Sequence, residues 1–217
     1  MGHSRTEAQT DSLLKMRVKL RQDLIDWRKR QYNYCPSLKD RIDAVDPTSP
    51  ELENLFLPSS FQRSSDRKKL GLAELAELEY ELRLGQAYDA LDDIRTKIKI
   101  FNTNLDYKKH NIFGQQSNTR ARQYLQTLSV DKVSAADKYR QARQALLILG
   151  LSKTDQSLRP LYDHELWGKD TSHLAQLGDT KREEPWFWTV GIPSQLSKSE
   201  QTEWSVECEF LMRPKTC

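Results

Sequence analysis

No apolar run in this sequence approaches the roughly 18 residues that a membrane-spanning helix needs, and the polar start from Met1 to Ser12 lacks the apolar region of a secretory signal. Glycine and proline are scarce, with 8 of each in 217 residues, which disfavours a loop-rich β-fold. The three cysteines (Cys35, Cys208, Cys217) are odd in number and scattered, so no disulfide framework is implied. Without an export signal, reduced thiols in a nuclear or cytoplasmic setting are expected. The histidines (His3, His110, His164, His173) and cysteines form no CxxC, HxxxH or HExxH, so no zinc site is expected. No P-loop or glycine-rich dinucleotide fingerprint occurs. Asp89, Asp92 and Asp93 suggest an acidic metal group, but adjacent helical residues point about 100° apart and converge poorly. Cys208 has no local setting for a nucleophile, and a buried thiol is the simpler reading. The sequence therefore assigns no catalytic residue, no metal, no cofactor and no small-molecule substrate.

What is present is helical periodicity, concentrated in residues 72–149. The first arm, 72–110, carries Leu75, Leu78, Leu82, Tyr88, Leu91, Ile94, Ile98, Phe101 and Leu105, mostly three or four apart. That spacing places them on one face of a helix. The second arm, 117–149, is more regular: Leu125, Leu128, Lys132, Ala135, Tyr139, Ala142, Leu146 and Leu149 form an a/d seam with one polar interruption. Between the arms, Gly114 can take positive φ, and Ser117 or Asn118 can cap the second helix. Gly150 is placed to close that helix. The expected fold class is all-α: an elongated antiparallel helical hairpin, coiled-coil-like, packed by an N-terminal helix and short C-terminal segments.

Charge is nearly balanced overall (net +3) but unevenly placed. Residues 72–93 carry Glu74, Glu77, Glu79, Glu81, Asp89, Asp92 and Asp93 against Arg83. Residues 95–122 carry Arg95, Lys97, Lys99, Lys108, Lys109, Arg120 and Arg122 against Asp106. The ordinary reading is of solvated faces paired with neighbouring helices. The sharper one is that the hairpin tip, with His110 added, meets phosphate.

The remaining chain divides into a polar tail expected to be disordered (1–10), a basic helix (11–35), a connector (36–71) and C-terminal segments (150–217). In the basic helix, Leu13, Leu20, Leu24 and Trp27 share a face, and Trp27 is expected to be a core anchor. Lys15, Arg17, Lys19, Arg21, Arg28, Lys29 and Arg30 lie opposite, a pattern suited to nucleic acid, an anionic surface or a partner helix. Cys35-Pro36 should end the helix. In the connector, residues 38–45 and 51–56 are expected to form short helical pieces, 46–50 a turn cluster, and the apolar knot Leu55–Phe61 is expected to dock onto the helices. After Gly150, Trp186-Phe187-Trp188 either stacks on unpaired bases or caps the bundle, the preferred reading because aromatics dominate core energetics. Residues 199–212 read as a last amphipathic helix.

Five blocks in order carry a family resemblance: Trp27…Gln31…Tyr34-Cys35-Pro36, Leu55-Phe56-Leu57-Pro58-Ser59-Ser60, Glu81 to Leu91, Gly114-Gln115…Asn118-Thr119-Arg120-Ala121-Arg122, and Ala136…Tyr139-Arg140…Ala142-Arg143…Ala145-Leu146. Together they resemble the helical C-terminal region of the Kyakuja–Dileera–Zisupton (KDZ) transposases of fungal transposable elements, over residues 13–211. Trp186-Phe187-Trp188 is similar to the Ser-Trp-Ile-Trp type segment that follows in that family. The resemblance places transposition chemistry in an upstream ribonuclease-H-like core, for which this sequence has no β-α alternation and no room. It also lacks the family's cysteine cluster, and residues 208–217 depart from the usual Arg-rich continuation. What it implies is a detached transposase tail or a shortened, domesticated copy, without catalytic residues. Two roles follow as expectations. One is sequence-tolerant nucleic-acid contact through Lys108, Lys109, Arg120, Arg122, Lys29 and Arg30. The other is helix-mediated association with itself or a transposase-related protein, with Lys132 restricting register.

Overall fold

A computed structural model describes residues 6–44, 49–168 and 184–190. It is all-α, with α1 Glu7–Tyr34, α2 Lys39–Asp43, α3 Ser64–Lys69, α4 Ala73–Asn111 and α5 Gln115–Leu149, and with 3₁₀ turns at Pro36–Leu38, Pro50–Leu52, Pro58–Ser60, Asp163–Glu165 and Trp186–Trp188. No strand occurs among the described residues, and α4 and α5 pack closely as a helical hairpin. No described helix is long and apolar enough to cross a membrane. The expected turn cluster at 46–50 lies largely, and the expected helix at 199–212 wholly, outside the described residues.

α1 starts earlier than its apolar spacing suggests, inside the stretch expected to be a disordered tail. Thr6 and Gln9 form a capping box: Gln9 N donates to Thr6 Oγ1 at 3.3 Å and Thr6 N to Gln9 Oε1 at 3.0 Å. Two donors that a helix N-terminus leaves orphaned are thereby satisfied. The helix ends at Tyr34, ahead of Cys35-Pro36, as expected.

The hairpin seam runs differently from its expected course in α4. Leu78 and Leu82 are 56% and 75% exposed. The inward positions are Tyr80, Leu84, Ala87, Leu91, Ile94, Ile98, Phe101 and Leu105, which step 4-3-4-3-4-3-4. Ala87, Leu91, Ile94 and Ile98 are fully buried and the others half-buried. An alanine seats the seam where a search for large apolar residues passes over it. The α5 seam is as expected, with Leu125, Ala135, Tyr139, Ala142 and Leu146 buried and Lys132 half-buried. The link between the arms is only Ile112–Gly114. Gly114 sits at φ +85°, a conformation costly for a residue with Cβ. Its carbonyl accepts Asn118 N at 3.1 Å, so α5 begins at Gln115, two residues before the expected start. Gly150 N and Leu151 N both donate to Leu146 O, at 3.0 and 2.9 Å, which closes α5 where expected.

The chain divides into two compact units, Met1–Gly85 with Ala142–Lys153, and Gln86–Gln141 with Thr154–Cys217. In the first unit, Cys35, Leu38, Phe61 and Leu72 form a buried cluster against which Ile42, Phe56, Leu70 and Leu75 pack. The apolar knot is docked as expected, through Phe61 and Pro58. Gln31 Nε2 donates to Leu55 O at 2.8 Å, and Ser59 gives its N and Oγ to Glu79 at 2.8 and 2.7 Å. The one-turn piece expected at 51–56 is a 3₁₀ turn at Pro50–Leu52, proline supplying its fixed φ at the first position. The expected helical segment at 38–45 is a 3₁₀ turn at Pro36–Leu38 followed by α2. Trp27 is not the expected core anchor. It stays 40% exposed and Leu13 is also exposed, while Leu24 on the same face is buried.

Candidate nucleic-acid interface

The second unit shows how many of its cations are already used. Residues 158–168 and 184–190 are mostly non-helical, so their carbonyls need donors from outside the segment. Helix side chains supply them. Arg95 Nε donates to Phe187 O at 2.8 Å, and its other nitrogens reach Phe187 O, Val190 O and Asp92. Asn102 Nδ2 donates to Gly168 O at 3.2 Å and Lys132 Nζ to Leu166 O at 3.0 Å. Tyr139 Oη donates to Arg159 O at 2.7 Å. Arg140 donates to Leu161 O at 3.0 Å while pairing with Asp137 and Asp163. Under these bonds Leu158, Leu161, Leu166 and Phe187 are buried. Burial pulls the Arg95 guanidinium below the ordinary arginine range, an effect that Asp92 opposes. Burial likewise lowers the Lys132 ammonium, which also lies 4.9 Å from the Phe101 ring centroid.

These contacts bear on two expectations, and for the aromatic block the preferred one, packing, holds. Lys132, expected as a register element between chains, gives its ammonium to Leu166 O within the chain. The Trp186-Phe187-Trp188 block is packed rather than presented. Phe187 is fully buried, Trp186 meets Tyr139 with ring centroids 5.9 Å apart, and Trp188 Nε1 donates to Trp167 O at 2.9 Å. Gly168 is required there, since a Cβ would overlap the Trp188 indole. The upper part of the basic stretch is neutralised as well, with Lys97 bonded to Asp93 at 2.8 Å and Arg95 to Asp92. That leaves Asp92 and Asp93 as ion-pair partners. Among the described residues no three His, Cys, Asp or Glu side chains gather as a metal site.

At the tip the situation differs. Lys108, Lys109 and His110 fill the last turn of α4, and His110 pairs with Asp106 at 3.3 Å. The negative end of the helix dipole favours cations there, so helix electrostatics accounts for the two lysines. It does not account for the arginines. Arg120 and Arg122 occupy the second turn of α5, near the positive end of that helix, and its first turn holds no acidic residue. Lys109, Arg120 and Arg122 are exposed and Lys108 half-buried. None of these four makes an ion pair among the described residues. Because only Ile112–Gly114 separates the helices, all four lie within about 11 Å of the loop along the helix axes, at 1.5 Å per residue.

Lys29 and Arg30 belong to the first unit, on the exposed side of α1. Lys29 pairs with Asp26 at 3.2 Å. The Asp26 carboxyl is held below its usual range by the Gln22 amide first and by Lys29 next. Arg28, beside them, is a structural cation: it bonds Asn54 O and Gln31, pairs with Glu53 at 3.5 Å and covers the Phe56 ring at 5.1 Å. The sequence signal separating the two kinds of cation is position. Arg95 and Arg140 directly follow the seam residues Ile94 and Tyr139, whereas the tip cations flank the three-residue link between α4 and α5.

No protein-family model, curated protein or solved structure matches the chain.

Proposed function

We propose that the chain is a non-catalytic helical interaction module, derived from a transposase, that contacts nucleic acid through phosphates without reading sequence. The transposase descent rests on the five sequence blocks. The nucleic-acid role rests on one observation: Arg120 and Arg122 stand exposed near the positive end of α5, where neither the helix nor an acidic neighbour rewards them. An external polyanion supplies the missing counter-charge, and Lys108 and Lys109 face the same link. Side chains of this kind give affinity and orientation but no base discrimination.

Duplex binding measured by fluorescence anisotropy over a salt series is the direct test. With four phosphate contacts, log K should fall against log salt with a slope of about −3.6, at about −0.9 per contact. Changing Lys108, Lys109, Arg120 and Arg122 together to Gln should bring that slope close to zero. If the quadruple variant binds as the parent does, the tip is the wrong surface. Lys29→Gln with Arg30→Gln should leave that slope nearly unchanged, because Lys29 already has Asp26 and the four tip contacts account for the slope.

A second reading, association with another copy of the chain, is favoured by α1. Leu14, Val18, Ile25 and Tyr32 repeat at heptad spacing, interrupted by Arg21 and Arg28, and all four are exposed, Val18 by 67%. Antiparallel pairing of two such helices would bring the acidic end, Glu7 and Asp11, opposite Lys29 and Arg30 of the other copy. Light scattering at micromolar protein should then report a dimer that Val18→Glu with Ile25→Glu converts to monomer. A parent that is already monomeric excludes this mode.

A further inference from the structure

The tip carries more than charge. Phe113, in the link, is 76% exposed, and Tyr107 and Tyr124, on the two flanking helices, are 59% and 53% exposed. In the 18 positions from 107 to 124 these aromatics alternate with Lys108, Lys109, Arg120 and Arg122. The aromatic block that the sequence offered for base stacking, Trp186-Phe187-Trp188, is committed to packing against Tyr139 and Trp167. The tip aromatics are not committed in this way.

We infer that the tip prefers single-stranded nucleic acid over duplex, with unpaired bases stacking on Phe113, Tyr107 and Tyr124 while the four cations neutralise the phosphates. This rests on the phosphate-binding reading above and narrows it. A duplex keeps its base faces stacked inside and offers the tip only phosphates, which leaves three apolar rings in water. A single strand offers both, and every base has a face that an aromatic ring can cover whatever the sequence. Gly114 contributes by its positive φ, which turns the chain immediately after Phe113 and leaves that ring at the end of the hairpin.

The experiment compares three labelled probes of equal phosphate number over one salt series: an oligothymidylate, a duplex and an abasic single strand. The oligothymidylate should bind at least about tenfold more tightly than either of the others, given what stacking of one or more bases contributes. Phe113→Ala with Tyr107→Ala and Tyr124→Ala should reduce oligothymidylate affinity to the duplex level without changing the salt slope. The abasic probe makes the same comparison on the unmodified protein, so a folding defect in the variant cannot imitate the result. Equal affinity for the oligothymidylate and the abasic strand overturns the inference and leaves phosphate binding intact. Failure of all three probes to bind removes the phosphate reading and this inference together, and leaves the exposed aromatics to protein docking.

Discussion

Replacing Tyr139 with alanine should lower the unfolding free energy by about 3–5 kcal/mol, the usual loss for a large aromatic removed from a core. The side chain is fully buried, meets Trp186 at 5.9 Å between centroids, and spends its hydroxyl on Arg159 O at 2.7 Å. Two contributions are therefore lost together, ring packing and the donor that holds the segment after α5. Tyr139→Phe separates them, because it keeps the ring and leaves the Arg159 carbonyl without this donor. That variant should cost about 1–2 kcal/mol. Urea denaturation followed by circular dichroism measures both. Equal losses in the two variants would mean that the hydroxyl, not the ring, is what the core depends on.

The second large effect is at Arg95. Arg95→Met keeps most of the aliphatic volume but removes the charge-assisted donors to Phe187 O and Val190 O. An expected loss of about 2–4 kcal/mol follows from two acceptors left without that partner in a half-buried setting. The readout is local as well as global. Residues 184–190 are bound to α4 through this guanidinium, so Trp186 and Trp188 should become more water-exposed, with red-shifted emission and faster proteolysis near Phe187. Arg95→Lys should recover only part of the loss, since a single ammonium cannot reproduce the planar fork that reaches two carbonyls. Full recovery with lysine would show that charge alone holds the segment. If Arg95→Met leaves the tryptophan emission unchanged, the segment is held by Phe187 burial instead.

Charge in this chain has two uses that composition does not separate. Arg28, Arg67, Arg95 and Arg140 each donate to a backbone carbonyl of a non-helical segment. They work as struts, because irregular backbone cannot satisfy its own carbonyls as a helix does. Lys109, Arg120 and Arg122 satisfy no described carbonyl and remain in solvent. In the sequence both sets look like basic faces of amphipathic helices. The difference emerges only when the non-helical segments are laid against particular residues.

The sequence by itself determined the helical hairpin, the end of α1 at Cys35-Pro36, the positive φ at Gly114 and the closure at Gly150. Each follows from local physics: a 3.6-residue apolar repeat, the steric demand of proline, and the freedom of a residue without Cβ. The sequence also contained, unrecognised, the Thr6–Gln9 capping box and the Ala87 seam position. Only tertiary structure decided that Leu78 and Leu82 face water, that Trp27 is partly uncovered, that Lys132 and Arg95 bind chain carbonyls, and that Trp186-Phe187-Trp188 is packed while Phe113 is bare. Those outcomes depend on which segment lies over which residue. Such pairings join positions as far apart as Arg95 and Val190, and no local periodicity encodes them.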